Sequence, residues 1–256
     1  MTTIYQVIQH ICLSMENTEE VISHSFPTFK TAGKVFASFS LNHHGDDKVA
    51  LQLNIGTDMQ KMLVDSAPNI FYIPPYTGPK GWVGIELNKG LAWNRVAELT
   101  VEAYQRVAPA NLARNTKVIE LTTPPDEMTP EQINPLKTKK NSAIINRLSS
   151  MCTRLPEVSQ DSQFGNPCFR AGKKSFCCLY LRDHKPQLQV WVGSDRQPAL
   201  ISFDQRFSIP AYTGHNGWID LDLSDQQNWQ EIEDLLLISY KHFAIKRMIN
   251  ALPLLH

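Results

Sequence analysis

"IPPYTGPKGW" occupies residues 73–82 and "IPAYTGHNGW" residues 209–218, so one ten-residue phrase recurs 136 positions later with seven identities. At the same offset, 73–106 lies over 209–242 without a gap. Leu87/Leu223, Trp93/Trp229, Leu99/Leu235 and Tyr104/Tyr240 coincide along it. Upstream the offset becomes 140, and 12–41 lies over 152–181, matching Cys12/Cys152, Pro27/Pro167, Phe29/Phe169, Lys34/Lys174, Phe36/Phe176 and Leu41/Leu181. Most of the four-residue difference is expected where "LNHHGDDKV" faces "LRDHKPQL", because loop tips accept changes of length. Each copy spans about 105 residues, far more than a solenoid repeat, so the chain is a tandem duplication of a domain. The expected division is a first domain over 1–114, a Pro-rich linker over 115–141 and a second domain over 142–256.

Local patterns place the elements. Ile4, Ile8, Ile11, Cys12 and Met15 recur at helical spacing, as do Ile144, Leu148, Met151, Cys152 and Leu155, so each copy opens with an amphipathic helix. "TFKTAGKVFASFSL" and "CFRAGKKSFCCLYL" read as hairpins around an Ala-Gly-Lys turn. "KVALQLNI" and "QLQVWV" add a strand. "TDMQKMLVDSAP" reads as a short helix, and its counterpart "SDRQPALISFD" carries a weaker pattern. "GWVGIEL" and "GWIDLDL" alternate as strands. Closing helices start near Trp93 and Trp229, with Val96, Leu99, Ala103 and Val107 on one face and Ile232, Leu235, Ser239 and Phe243 on the other copy's equivalent. Asn228 and Glu231 suggest a capping box there. "KVIEL" in the linker suggests one short strand. The order implies an α+β fold: two copies of a small α/β sandwich, each an antiparallel sheet packed on one side by helices.

The recurring phrase itself reads as a strand end, a turn and a strand start. Pro74 and Pro210 limit pairing, and Gly78, Gly81, Gly214 and Gly217 permit φ > 0. It lacks the Lys-Ser/Thr and helix of a phosphate loop. Trp82 and Trp218 are expected to cover one end of the core, and Tyr76 and Tyr212 to be buried anchors of the turn.

Composition is that of an ordinary globular protein, 42% hydrophobic and 20% charged. No apolar run is long enough to span a bilayer, and a secretory signal is not expected from the first twenty residues. Lys+Arg and Asp+Glu both number 25, and the balance holds within each copy, which argues against a strongly basic nucleic-acid binder. The five cysteines include no C-x-x-C. Neighbouring Cys177 and Cys178 point to opposite faces of a strand, so buried thiols in a reducing, cytoplasmic setting are expected.

No nucleophile constellation or metal spacing is present, so neither enzyme activity nor a cofactor or metal is expected. His43 and His44 sit beside Asp46 and Asp47 in what reads as a solvated loop. "DLDLSD" (220–225) lacks a calcium-loop pattern, and its acids are expected to be solvated or near a helix N-terminus. One basic feature is duplicated. Lys30 and Lys34 align with Arg170 and Lys174, with Lys173 adjacent, so each hairpin tip carries cations. The alternative is that turn lysines keep sheet edges soluble.

"FKTAGKVFASFSL", "PYTGPKGWVGIEL" and "AWNRVAELTVEAYQRVAP" resemble the MmcQ/YjbR family, and "FRAGKKSFCCLYL", "AYTGHNGWIDLDL" and "NWQEIEDLLLISYKHFA" do so in the second copy. The two matches cover about four fifths of the chain. The family's hairpin signature falls on Phe29, Lys30, Gly33, Lys34 and Phe36, and its tyrosine–lysine–tryptophan signature on Tyr76, Lys80 and Trp82. The second copy departs from both, with Asn216 at the lysine position and Gly33 displaced to Gly172. The resemblance implies a fold like secretion chaperones and frataxin-type domains, and a DNA-binding role through a double wing of hairpins, with Lys80 joining the cations. The expected function is a non-enzymatic binding protein taking nucleic acid through Lys30, Lys34, Lys80, Arg170, Lys173 and Lys174. The alternative is a protein-interaction or chaperone-like module in which the copies form an intramolecular pseudo-dimer. A monomer with internal pseudo-two-fold symmetry is expected, with no membrane partner. A small-molecule pocket around Tyr76 or Tyr212 is a third reading.

Overall fold

A computed structural model describes residues 2–24 and 26–253 of the chain. Residues 1–133 and 134–256 form two compact units. The first unit runs α1 (Ile4–Leu13), β1 (Thr18–Ser23), β2 (Phe26–Thr31), β3 (Lys34–Leu41), β4 (Val49–Asn54), α2 (Thr57–Ser66), β5 (Phe71–Tyr72), β6 (Trp82–Glu86), α3 (Trp93–Val107), α4 (Ala110–Asn115) and α5 (Pro130–Ile133). The second runs α6 (Lys139–Cys152), β7 (Val158–Gln163), β8 (Asn166–Ala171), β9 (Lys174–Arg182), β10 (Lys185–Trp191), α7 (Gln197–Phe203), β11 (Phe207–Ser208), β12 (Trp218–Asp222), α8 (Trp229–Phe243) and α9 (Lys246–Asn250). Each unit holds a six-stranded sheet, ordered β1-β2-β3-β4-β6-β5 and β7-β8-β9-β10-β12-β11, with neighbouring strands antiparallel throughout.

Alternation explains why only one side of each sheet is covered. Phe29, Phe39, Leu51, Leu53, Val83 and Ile85 are buried with Ile4, Ile8, Ile11, Val96, Leu99 and Ala103 of the helices. Phe169, Leu179, Leu188, Val190, Ile219 and Leu221 repeat this against Ile144, Leu148, Ile232 and Leu236. At the centre of each core Tyr104 meets Phe36 edge-on, and Tyr240 meets Phe176, both with ring centroids 5.6 Å apart. Each tyrosine donates its hydroxyl proton to a carbonyl just past the opening helix, Glu16 at 2.7 Å and Pro156 at 2.8 Å. A buried phenol needs such a partner, so the duplicated Tyr locks the closing helix to the opening one.

Several sequence expectations are corrected. Strands β1 and β7 were not anticipated; both are edge strands with mostly exposed or half-exposed residues, so they carry no apolar alternation. No strand forms at 117–121. Ile119, Leu121 and Met128 instead pack on the first core, and Leu136 is buried in the second. The β3–β4 connection carries a 3₁₀ turn at His43–Gly45, whereas β9–β10 turns through Asp183 and His184 alone, both at positive φ. Two residues at φ > 0 are what a tight hairpin requires, and this shortening moves the alignment offset from 140 to 137. Asn228 caps α8 by accepting from the Glu231 N–H at 3.3 Å.

Candidate binding clefts

The sheet face away from the helices is open, and in both units the recurring phrase arches over it. Gly81 and Gly217 explain why that phrase is kept. They hold φ of +80° and +82°, and a Cβ on either would come within 2.7 Å of the backbone of Gly56 or Gly193. The carbonyls of Gly81 and Gly217 accept from the N–H groups of Ile55 and Gly56, and of Val192 and Gly193. A side-chain clamp completes the turn. Gln60 of α2 donates to the carbonyls of Gly78 (2.8 Å) and Trp82 (2.5 Å), and Gln197 of α7 to those of Gly214 and Trp218, both at 2.7 Å. The phrase is therefore conserved between the copies as architecture, and the two glutamines that hold it lie outside it.

The tyrosines depart from expectation. Tyr76 is 84% exposed and Tyr212 90%, each at the rim of a cleft on the open face. Pro74 and Pro210 are buried beneath them, so the strap is anchored while its aromatic tip is bare. Trp82 also lines the first cleft instead of plugging the core, whereas Trp218 stacks on Phe243 at 5.4 Å.

One cross-strand row runs through each sheet, its Thr28, Ser38 and Gln52 lining the first cleft and its Cys168, Cys178, Gln189 and Asp220 the second. In the first domain the register aligns Thr28, Ser38, Gln52, Gly84 and Tyr72 across five strands. In the second it aligns Cys168, Cys178, Gln189, Asp220 and Ser208. The first cleft, about 760 Å³, is otherwise lined by His24, Phe26, Val35, His43 and His44. The loop is solvent-exposed at His44, Asp46 and Asp47 as expected, and its two histidines also border the cleft: His43 packs on Phe26 at 4.8 Å, and burial, reinforced by the neighbouring His44, lowers its pKa. Among the described residues no group of three or more His, Cys, Asp or Glu is placed to hold a metal.

The second cleft, about 660 Å³, is built around a carboxylate. Asp220 is fully buried, not solvated as "DLDLSD" suggests. Its Oδ2 accepts from Tyr180 at 2.5 Å and from Arg182 at 3.2 Å, and its Oδ1 from Gln189 at 3.2 Å. Arg182 also donates to Gln187 and Ser208. Burial raises the Asp220 pKa against the lowering effect of Tyr180, Gln189 and Arg182. Because Gln189 turns to Asp220, the Thr213 hydroxyl is buried without a partner, while its counterpart Thr77 donates to Gln52 at 3.3 Å. A charged ligand shell that is complete, beside one orphaned hydroxyl, makes this floor rigid and polar.

The expected cations fall into two groups. Lys30 pairs with Glu19 at 3.2 Å and Arg170 with Asp161 at 2.9 Å, each across the edge-strand ladder. Those acids belong to the unanticipated strands, so the sequence reading missed them. Lys34, Lys80, Lys173 and Lys174 are exposed. The register that pairs Ala37 with Leu53 and Asn54 with Trp82 brings Lys34 and Lys80 to one end of the first sheet. Arg106, at the last turn of α3, reaches the same end, beside Gly56. Its aligned partner His242 stacks on Trp191 at 3.5 Å and lies near enough to Lys174 to have its pKa lowered, by burial first and that charge second.

The duplication of the domain is also what the comparisons find. The YjbR family model matches twice, at residues 13–106 and 153–242, and the chain belongs to the YjbR family. Among solved structures it is similar to the Deinococcus radiodurans protein DR2400, whose domain is described as DUF419, at 17% identity, over 42% of this chain and 79% of that one, with a TM-score of 0.36. No curated protein matches the chain. No helix among the described residues is long and apolar enough to cross a membrane.

Proposed function

We propose that this protein is a non-enzymatic binding protein that takes single-stranded nucleic acid across the open sheet faces. The observation that carries the reading is the pair of bare tyrosines, Tyr76 and Tyr212, at the same rim position of two clefts. An exposed ring of that size on a fixed strap is a stacking platform, and base stacking on aromatic side chains is tolerant of sequence. Phe26 and Trp82 extend the aromatic surface in the first cleft, and Val35 and Trp82 place it next to Lys34 and close to Lys80. Bases in the cleft would leave their phosphates along that basic end.

The geometry favours single strands over a duplex. Phosphate contact alone must come from free cations, and Lys30 and Arg170 are already engaged by Glu19 and Asp161. Fluorescence anisotropy of labelled single- and double-stranded DNA and RNA, at low and near-physiological salt, tests this. Saturable binding that prefers single strands supports the reading. Equal or stronger duplex binding returns the hairpin tips to the centre, and no binding at low salt removes nucleic acid as the partner.

A further inference from the structure

The floor of the second cleft has chemistry that the first lacks. Cys168 on β8 and Cys178 on β9 are directly opposite and joined as a disulfide, where the first domain places Thr28 and Ser38 with their hydroxyls 3.2 Å apart. Both cysteines line the cleft, while Cys12, Cys152 and Cys177 are buried thiols. We propose that Cys168–Cys178 is a thiol–disulfide exchange site, opened by a dithiol reductant arriving through the second cleft and closed again by exchange with a small-molecule disulfide, and not a staple of the fold.

The first domain supplies the control. It builds the same two strands with the same register shift, between Phe29 and Lys30 as between Phe169 and Arg170, using hydroxyls in place of sulfurs. The bond also closes a sequence separation of only 10 residues, within a hairpin already held by its ladder. Short loops lose the least chain entropy on cross-linking. Access then selects the sulfur. Cys178 is half-exposed on the cleft and Cys168 is 1% exposed, so the incoming thiolate meets Cys178 Sγ. Gln163 Oε1 lies 3.9 Å from Cys168 Sγ, placed to accept a hydrogen bond from the Cys168 thiol once the departed thiolate has taken up a proton. The next thiol in sequence, Cys177, faces the core beside Cys152 at 3.8 Å. Burial pushes its pKa well up, which keeps it out of the exchange.

The steps balance. A thiolate of the dithiol bonds to Cys178 Sγ, the Cys168–Cys178 bond breaks, and Cys168 leaves as a thiolate that takes up a proton. The second thiolate of the reductant attacks its own bridged sulfur and releases Cys178, which is protonated in turn. The protein gains two electrons and two protons, and the dithiol becomes a disulfide. Closure reverses the electron flow: the Cys178 thiolate attacks a sulfur of the small-molecule disulfide and releases one thiolate. The Cys168 thiolate then displaces the second from Cys178, so that two thiols carry off the two electrons and two protons.

Alkylation followed by mass analysis of the full chain tests this. After oxidation with oxidised glutathione, the denatured protein should show three free thiols, Cys12, Cys152 and Cys177. After dithiothreitol under native conditions, Cys168 and Cys178 should be alkylated while those three stay protected. Five free thiols in the oxidised, denatured protein, or a bond that survives excess dithiothreitol in the native state, overturns the proposal. Of the single variants, C168S should leave Cys178 reacting about tenfold faster than Cys168 reacts in C178S, and the reverse order overturns the assignment of the attacked sulfur. The C168T/C178S variant carries the first domain's own pair. Its melting temperature should stay within about 10 °C of the wild type, the most that so short a cross-linked loop accounts for; loss of the fold would make the bond a staple.

Discussion

The ring of Tyr72 lies flat on Gly84: a Cβ on that glycine would stand 2.2 Å from the tyrosine Cζ. The two are cross-strand partners, and so are their counterparts Ser208 and Asp220. One exchange, ring-on-glycine for serine-beside-aspartate, separates the two sheets at this position, and only in the second does it put a lining residue, the buried Asp220, into the cleft. The pair should therefore behave as a unit. Gly84→Ala is expected to cost about 1–3 kcal/mol through overpacking. On a Tyr72→Ser background most of that cost should vanish, a coupling of about 1 kcal/mol or more. A double-mutant cycle by chemical denaturation reads it, and additive effects would contradict the contact.

The glutamine clamps carry the straps. Gln60→Ala or Gln197→Ala leaves two backbone carbonyls without their donor, and in the first domain the glutamine is itself buried. Each substitution should destabilise its domain by about 1–3 kcal/mol. It should also raise amide exchange at residues 78–82 or 214–218 above that of the neighbouring strands. Unchanged exchange there would show that the glycine turn holds itself.

Arg182 offsets the burial of Asp220. Arg182→Met should destabilise the second domain by about 2 kcal/mol at neutral pH, less than for a fully buried pair because the guanidinium is 41% exposed. The pH dependence follows from the sign of the shift. The folded state already holds the Asp220 proton more tightly than the unfolded chain does, and removing Arg182 strengthens that preference. The deficit should be full at neutral pH and shrink as pH falls through the folded-state value. Melting curves of variant and wild type between pH 7 and pH 4 check it; a deficit that grows towards acid would contradict the assignment. From neutrality to about pH 4 a carboxylate passes from full ionisation into its ordinary titration range.

The edge-strand acids restrain the wing cations. Each exposed pair adds little to stability, about 0–1 kcal/mol, so Glu19→Gln and Asp161→Asn should leave the melting temperatures nearly unchanged. They should, however, raise affinity for nucleic acid and steepen its salt dependence, since Lys30 and Arg170 become available. Lys34→Glu with Lys80→Glu should do the opposite. Anisotropy at two salt concentrations separates these outcomes, and indifference to all four changes would remove the cations from the interface.

How much of this could be read beforehand depends on where each residue's environment comes from. The duplication, the hairpins and the closing helices were legible because Gly, Pro and Trp at fixed offsets and apolar residues at period 3.6 report local geometry. Strands β1 and β7 were not, because an edge strand exposed on one side can be written almost entirely in polar residues, as "VSQDSQ" is. With them went the acids facing Lys30 and Arg170. Gln60 and Gln197 escaped because the changing offset takes them out of the gapless alignment, and nothing local marks a glutamine as a clamp. Asp220 was read as solvated from its alternation with Ile219 and Leu221. Its burial comes from Tyr180, Arg182 and Gln189, two strands of tertiary context away. Tyr76 and Tyr212 were expected inside because aromatics at turns usually pack. Here the buried proline two residues earlier does the anchoring and frees the ring.

The most direct measurement compares wild type with Tyr76→Ala/Tyr212→Ala in an anisotropy titration of a labelled single-stranded oligonucleotide. Both rings are almost fully exposed, so the double variant should keep its melting temperature. Its affinity should nevertheless fall by about 1–3 kcal/mol for each base that loses its stack. Equal affinity of the two proteins, with the fold intact, would contradict binding across the open faces.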